Sequence, residues 1–123
     1  MSIPIPGQPV RGSKTGVPIM ALFDLLGRTW AMGVIWQLQN GPYTFRTLQD
    51  RCESISPSIL NNRIKDLISA GIAERTLDGY QLTKRGHELI QLLLPFGDWS
   101  LDWAKEVFDV KIQFKKTKQQ GRN

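Results

Sequence analysis

The sequence predicts a mostly α-helical fold with one short β-hairpin. Two short helices, each with its own N-terminal capping residue, follow one another between residues 44 and 70. The strongest two-residue hairpin signal, Asp78-Gly79, comes directly after them. Apolar residues at three- and four-residue spacing occur near both ends of the chain. A helix-turn-helix followed by a two-stranded β-wing is the plan of an α+β winged helix.

Length and composition exclude several classes of protein. At 123 residues the chain has the size of one domain. It contains no run of about 18 apolar residues, which a membrane-spanning helix requires. Its N-terminus lacks the charged start and apolar stretch of a signal peptide, and its single cysteine excludes an intramolecular disulfide. These features predict a cytoplasmic protein without a membrane segment.

The net charge of +5 resides at the C-terminal end. Five basic residues lie beyond position 110, and the remaining eleven Lys/Arg match the eleven Asp/Glu. We therefore predict a basic tail over residues 111–123. Three prolines and three glycines predict a flexible arm over residues 1–16. The winged helix-turn-helix domain, with its dimerisation helices, is predicted to occupy residues 17–110.

The first two helices are predicted from their apolar patterns. The stretch "VPIMALFDLLG" is apolar nearly all round, which indicates burial on more than one side, one of them against a partner chain. In the second helix, Trp30, Val34, Ile35 and Leu38 form one stripe, and Gly41-Pro42 ends it.

The third and fourth helices form the predicted helix-turn-helix. Thr44 caps the third helix, Ser56 caps the fourth, and Gly71 occupies the left-handed position after its end. The fourth helix, about residues 56–70, has an inward stripe and an outward polar face. The inward residues are Leu60, Ile64, Leu67 and Ile68, and the outward residues are Ser58, Asn61, Asn62 and Lys65.

The hairpin and two more helices complete the predicted domain. Residues 72–77 and 80–82 flank the Asp78-Gly79 turn. Thr83 is predicted to cap a helix that stops at Pro95, and a last helix, about 96–110, follows it.

Three sequence stretches resemble the HxlR-type winged-helix transcriptional regulators, which are relatives of the MarR-like regulators. They are "LLGRTWAMGVIWQLQNGPYTFRTL", "ISPSILNNRIKDLISAGIAER" and "YQLTKRG". The resemblance implies a homodimeric DNA-binding repressor or activator, paired through its first and last helices, on a pseudo-palindromic operator. The implied dimer-interface residues are Ile19, Leu22, Phe23, Leu26, Phe96, Trp99, Trp103 and Val107. The wing "TLDGYQ" is shorter than is usual in that family.

The outward face of the fourth helix is the predicted DNA-reading surface. Base edges in the major groove are read by short polar side chains, and asparagine matches adenine N6 and N7. We therefore predict base contacts from Ser58, Asn61, Asn62 and Lys65. The candidate phosphate contacts are Arg28, Arg46, Ser56, Arg63, Arg75, Lys84 and Arg85. The alternative is that these polar residues simply solvate an exposed helix.

Cys52 allows two hypotheses. It occupies a position where the family pattern has an aliphatic core residue, and a buried cysteine behaves as a small hydrophobe. Members of the resembled family can also sense oxidants or electrophiles through a cysteine. The second hypothesis makes an oxidant an effector of the protein; a small molecule bound between subunits is another candidate effector.

No arrangement of residues indicates catalysis or a cofactor. His87 is the only histidine and has no cysteine cluster beside it, so a metal site is not expected. No nucleophile elbow or phosphate-binding glycine loop is present. The remaining alternative to a sequence-specific regulator is a winged-helix protein-interaction module that binds nucleic acid nonspecifically through its basic tail.

Overall fold

The computed structural model of the protein describes residues 3–110, so the predicted basic tail lies outside the described residues. These residues form five helices and one two-stranded antiparallel sheet. The elements are α1 Pro18–Leu26, α2 Ala31–Leu38, α3 Phe45–Arg51, α4 Pro57–Ser69, β1 Ala73–Thr76, β2 Gly79–Leu82 and α5 Lys84–Phe108. This order confirms the predicted winged helix.

The chain divides into two compact units between His87 and Glu88. In the first unit α2 is central and packs against α1, α3, α4 and β2. Its core side chains are fully buried, among them Val34, Ile35, Leu48, Leu60 and Leu67. Removal of this apolar surface from water is the main force that holds α3 and α4 on α2.

The predicted helix caps are confirmed. Thr44 Oγ1 accepts a hydrogen bond from the Thr47 N–H, and Ser56 Oγ accepts one from the Ile59 N–H, both at 3.2 Å. Gly71 has the left-handed φ of +76° that ends α4. Each cap provides an acceptor for an N–H group that the first helical turn leaves unpaired.

Thr83 caps α5 and also ties it to the end of α4. Its Oγ1 accepts a hydrogen bond from the Gly86 N–H at 3.0 Å and donates one to the Gly71 carbonyl at 2.6 Å. A Cβ at Gly86 would collide with the Ile72 carbonyl oxygen and lie 3.1 Å from Leu82 Cβ. The sequence "LTKRG" therefore has a structural explanation. Thr83 caps the helix, and Gly86 is the only residue small enough to lie against the Ile72 carbonyl.

The start of α2 differs from the prediction. Trp30 is not part of the helical stripe but precedes the helix, with a left-handed φ of +66°. A Cβ added at Gly33 would lie 2.5 Å from the Trp30 ring, so the ring rests on that glycine.

No single helix within residues 3–110 is long and apolar enough to cross a membrane. Helices α1 and α2 reach that length only together, and they are bent by 87° at the break between them.

The wing turns one residue earlier than predicted. Thr76 pairs with Gly79, so the two turn residues are Leu77 and Asp78, and Gly79 belongs to β2. Tyr43 is paired with Tyr80 through two backbone hydrogen bonds of 2.9 and 2.7 Å. A Cβ at Gly79 would collide with the Tyr43 backbone, so this glycine is required by the close approach of a third strand-like segment.

The N-terminal arm is folded, although its composition predicted a flexible segment. The Gly7 N–H donates to the Gly16 carbonyl at 2.9 Å, and Arg11 forms an ion pair with Asp24 of α1 at 3.3 Å. A largely apolar cavity of about 320 Å³ lies between the arm, α1 and the C-terminal end of α4. The arm is therefore held by contacts with residues distant in the sequence, which composition does not reveal.

The last helix is continuous. We predicted that Pro95 would separate two helices, but α5 runs from Lys84 to Phe108 with Pro95 inside it. A proline removes one backbone hydrogen bond and constrains the preceding turn, and helical hydrogen bonding resumes beyond it. Within the second unit Trp99 stacks on Trp103, with ring centroids 5.9 Å apart, and Trp103 meets the edge of Phe108 at 5.2 Å.

Candidate nucleic-acid interface

Helix α4 has one exposed polar face and one buried apolar face. Leu60, Ile64 and Leu67 are at most 3% exposed and face the core of the first unit. The side chains of Ser58, Asn61, Asn62 and Lys65 are all exposed and fall at positions i, i+3, i+4 and i+7, which lie on one side of a helix. All four residues predicted to read bases are therefore brought together.

Ile68 does not face inward as predicted but is 41% exposed. Successive helical residues are separated by about 100°, so Ile68 lies about 80° around the axis from Leu60, whereas Leu67 lies only about 20° from it. Its position at the margin of the buried stripe, one residue before the end of α4, explains the exposure.

The N-terminus of α4 is exposed. Ser56 and Pro57 both face solvent, and the Ser56 hydroxyl is occupied by the Ile59 N–H and lies 3.5 Å from the Ser58 hydroxyl. The N-terminus of a helix carries partial positive charge from its aligned peptide dipoles. This end of α4 is thus electrostatically suited to an approaching phosphate.

Two of the predicted phosphate contacts turn inward. Arg28 Nη1 and Arg63 Nε lie 3.1 and 3.2 Å from the same oxygen, Asp66 Oδ2. Their side chains are only 15% and 13% exposed, and that of Asp66 is 7% exposed. Arg63 Nη1 also donates to the Thr29 carbonyl at 3.3 Å. The structure thus assigns both guanidinium groups an intramolecular partner that the sequence-based prediction did not include.

The other candidate phosphate contacts are exposed in the first unit. Arg46 lies in the first turn of α3, Lys84 and Arg85 in the first turn of α5, and Arg75 on β1. The Arg75 guanidinium lies 5.7 Å from the centre of the Tyr80 ring, within the range of a cation–π contact. These four side chains, unlike Arg28 and Arg63, are accessible to a ligand.

Cys52 is completely buried and is the residue that ends α3. Burial raises the pKa of its thiol, and the nearby Glu53 carboxylate acts in the same direction, while the Arg51 guanidinium opposes them more weakly than burial does. A thiol becomes reactive as the thiolate, which requires a low pKa and access to solvent. The environment is therefore that of a core residue.

The predicted dimer residues divide into exposed and buried groups. In α1, Ile19 and Phe23 are exposed, Leu22 is half-buried, and Leu26 is buried in the core of the first unit. The four predicted residues of the second unit, Phe96, Trp99, Trp103 and Val107, are all exposed. Leu26 therefore stabilises the monomer, whereas the other seven are accessible to a partner.

Asp66 is the functional candidate that sequence reasoning missed. The signal was available, because Arg63 and Asp66 stand three residues apart on one helix, a spacing that allows opposite charges to pair. No sequence signal indicates that Arg28, from the turn before α2, reaches the same carboxylate. Burial of the group depends on that long-range contact.

Comparisons with known proteins agree with this geometry. Residues 25–108 match the family model of the HxlR-like helix-turn-helix. The uncharacterized HTH-type transcriptional regulator YvaP of Bacillus subtilis is 26% identical over 92 residues, which span 69% of this chain and 85% of YvaP.

Two solved structures are similar in both sequence and fold. The quinone-bound YodB of B. subtilis is 30% identical with a TM-score of 0.63, over 68% of this chain and 96% of YodB. A protein of Thermoplasma volcanium, described as a possible HxlR family transcriptional factor, is 31% identical with a TM-score of 0.64, over 72% of this chain and 86% of that protein. The winged helix, the exposed polar face of α4 and the family match lead to one conclusion: the chain belongs to the HxlR family of helix-turn-helix transcriptional regulators.

Proposed function

We propose that the protein is a homodimeric regulator that recognises a specific DNA sequence by inserting α4 into the major groove. The observation that carries this proposal is the exposed face of α4. Four exposed polar side chains lie on one side of α4, and Ser58, Asn61, Asn62 and Lys65 are short or cationic groups suited to base edges. Asn61 and Asn62 match adenine, and Lys65 matches guanine.

Phosphate contacts would set the position of the helix in the groove. Arg46, Lys84 and Arg85 stand in the first turns of α3 and α5, and Arg75 stands on the wing. Ser56 adds the helix N-terminus, where backbone amides favour an anion. Since each neutralised phosphate releases counterions, affinity should fall steeply and linearly on logarithmic axes as salt rises. Arg28 and Arg63 are omitted from this set because Asp66 engages them.

The homodimer is supported by apolar surface. Ile19 and Phe23 of α1, and Phe96, Trp99 and Trp103 of the second unit, are between 45 and 65% exposed. Large exposed apolar side chains in contiguous groups mark interaction surfaces, and a twofold dimer buries the same surface of both copies. Two recognition helices related by a twofold axis would meet a pseudo-palindromic site at half-sites about one helical turn apart.

Two further aspects follow from this role. A regulator of transcription acts where the DNA is, so we place it in the cytoplasm and assign it no enzymatic activity.

An effector is part of the proposal, because the similar YodB has been solved in a quinone-bound form. For this chain the apolar cavity beside the end of α4 favours a small uncharged molecule over thiol oxidation, since Cys52 is buried.

The experiment that tests the proposal is selection of duplexes from a randomised DNA pool by the full-length protein, followed by footprinting and by light scattering of the complex. We expect an enriched sequence with inverted symmetry and a complex of two chains per duplex. A variant truncated after residue 110 separates this function from that of an interaction module. A specific regulator keeps its sequence preference without the tail, whereas the module loses nucleic-acid binding altogether.

A further inference from the structure

The cluster of Arg28, Asp66 and Arg63 links the recognition helix to the turn between α1 and α2. Arg28 and Thr29 belong to that turn, whereas Arg63 and Asp66 belong to α4. The cluster makes three contacts: two ion pairs to Asp66 Oδ2 at 3.1 and 3.2 Å and a hydrogen bond from Arg63 to the Thr29 carbonyl at 3.3 Å. Two of them connect α4 to the turn across more than 30 positions, and the third, between Arg63 and Asp66, lies within α4.

The turn that receives these contacts is itself constrained. Trp30 holds a left-handed φ of +66°, which is unfavourable for a bulky side chain, and its ring rests on Gly33. Such a conformation persists only where the surrounding structure determines it. The turn therefore has a well-defined conformation, and Asp66 is linked to it by the ion pair with Arg28.

The cluster lies on the flank of α4, between its buried stripe and its exposed face. Asp66 is four residues from Asn62, and Arg63 follows Asn62 directly, so the charges lie within one helical turn of the predicted base contacts. The buried Leu and Ile contacts are non-directional as a driving force, although their close packing also limits rotation of the helix. The hydrogen bond from Arg63 to the Thr29 carbonyl depends on distance and direction, and the two mostly buried ion pairs, whose atoms form no hydrogen bond within residues 3–110, depend on distance; together they oppose rotation of α4.

A small rotation would matter for recognition. The side chains of a helix end about 5 Å from its axis, so a turn of about 20° moves them by nearly 2 Å. A hydrogen bond is lost over that distance. Phosphate contacts through exposed lysine and arginine side chains tolerate the same displacement, because these long side chains can follow the phosphate by changing rotamer.

We propose that Asp66 is a positioning residue, which fixes the rotation of α4 through Arg28 and Arg63 and so determines the discrimination between DNA sequences rather than the nonspecific affinity. This inference rests on the proposed function of α4 in base readout. Neither arginine has to touch DNA for the cluster to act. Arg63, which the sequence suggested as a phosphate contact, acts through the position of the helix.

The test compares full-length Asp66→Asn and Arg63→Gln with Asp24→Asn as the matched control. Asp24 is also a carboxylate of the first unit with 9% side-chain exposure and an arginine partner, but it belongs to α1. The DNA probes are a duplex selected by the wild-type chain and a scrambled duplex of the same composition. Affinity for each is measured over a range of salt concentrations, together with the thermal midpoint of the free protein.

We expect Asp66→Asn to weaken binding of the selected duplex about tenfold or more, as the loss of one base contact would, with the scrambled duplex changed by less than about threefold. Arg63→Gln should show the same pattern and leave the salt dependence unchanged, because no phosphate contact is removed. Asp66→Glu, which retains the charge, should keep more discrimination than Asp66→Asn. Asp24→Asn should bind both duplexes as the wild type does.

Two results would overturn the proposal. One is a lower thermal midpoint in Asp66→Asn and Arg63→Gln with an unchanged ratio of selected to scrambled affinity, which would make the cluster purely structural. The other is a parallel loss on both duplexes with a shallower salt dependence in Arg63→Gln, which would make Arg63 a phosphate contact. If Asp66→Asn does not fold, Arg63→Gln decides, because it leaves the Arg28–Asp66 pair intact. A wild-type chain that selects no sequence refutes base readout itself, which is a distinguishable outcome.

Discussion

The double substitution Asn61→Ala with Asn62→Ala is expected to reduce sequence discrimination strongly without destabilising the protein. Both side chains are exposed, and neither makes a side-chain hydrogen bond within residues 3–110. Alanine is a better helix former than asparagine by about 0.5 kcal/mol per residue, so the folded state should gain slightly. The change therefore separates recognition from folding more cleanly than a substitution in the core would.

The magnitude follows from the chemistry of base readout. An asparagine paired with adenine contributes about 1–3 kcal/mol of discrimination, so two such contacts amount to about 2–6 kcal/mol. The ratio of affinities for the selected and scrambled duplexes should thus fall by at least about 30-fold. Fluorescence anisotropy with both duplexes measures the ratio, and thermal unfolding reports the stability of the same preparation.

The matched control is Asn40→Ala. Asn40 is an exposed asparagine as well, but it lies between α2 and α3, outside the recognition face. We expect it to leave the affinity ratio at the wild-type value. A double variant that is folded and keeps full discrimination would refute the assignment of α4 as the recognition helix.

Four further outcomes are expected. Gly86→Ala should lower the free energy of unfolding by about 1–3 kcal/mol, because the added Cβ meets the Ile72 carbonyl, and unchanged thermal stability would contradict this packing. Cys52 should react with iodoacetamide far more slowly in the native than in the unfolded protein, since burial excludes the reagent and raises the thiol pKa; equal rates by mass spectrometry would contradict a core position. Lys84→Ala should weaken all duplexes alike and reduce the logarithmic salt slope by about one, whereas a selective loss on one sequence would count against a phosphate role. Ser56→Ala should cost about 1 kcal/mol in chemical denaturation through loss of the α4 cap, and no change would mean that its hydroxyl is dispensable.

Local signals predicted most of the fold. Thr44, Ser56 and Thr83 were predicted as caps because the first turn of a helix leaves N–H groups that a nearby hydroxyl can satisfy. Gly71 was predicted at a left-handed position for a similar local reason. The exposed face of α4 followed from helical periodicity alone. Each of these features depends on residues within about one helical turn of one another.

Errors arose where distant contacts override local preference. The wing turns at Leu77-Asp78 because Gly79 is needed where Tyr43 pairs with Tyr80. The residues that approach Gly79 lie more than 30 positions earlier in the chain. The local preference of Asp78-Gly79 for a turn is independent of Tyr43, so it could not predict this contact.

The winged-helix class, the starts of α3 and α4, the end of α4 and the four exposed polar residues of α4 could all be predicted from the sequence, because helical spacing and capping are local properties. Which of the candidate arginines are exposed depends on tertiary contacts. Arg28, Arg46 and Arg63 are indistinguishable as cations in the sequence, but a carboxylate at Asp66 draws Arg28 and Arg63 inward and leaves Arg46 exposed. Burial of a charge requires a partner, and the partner of Arg28, which lies in the turn before α2, comes from α4, 38 positions further along the chain.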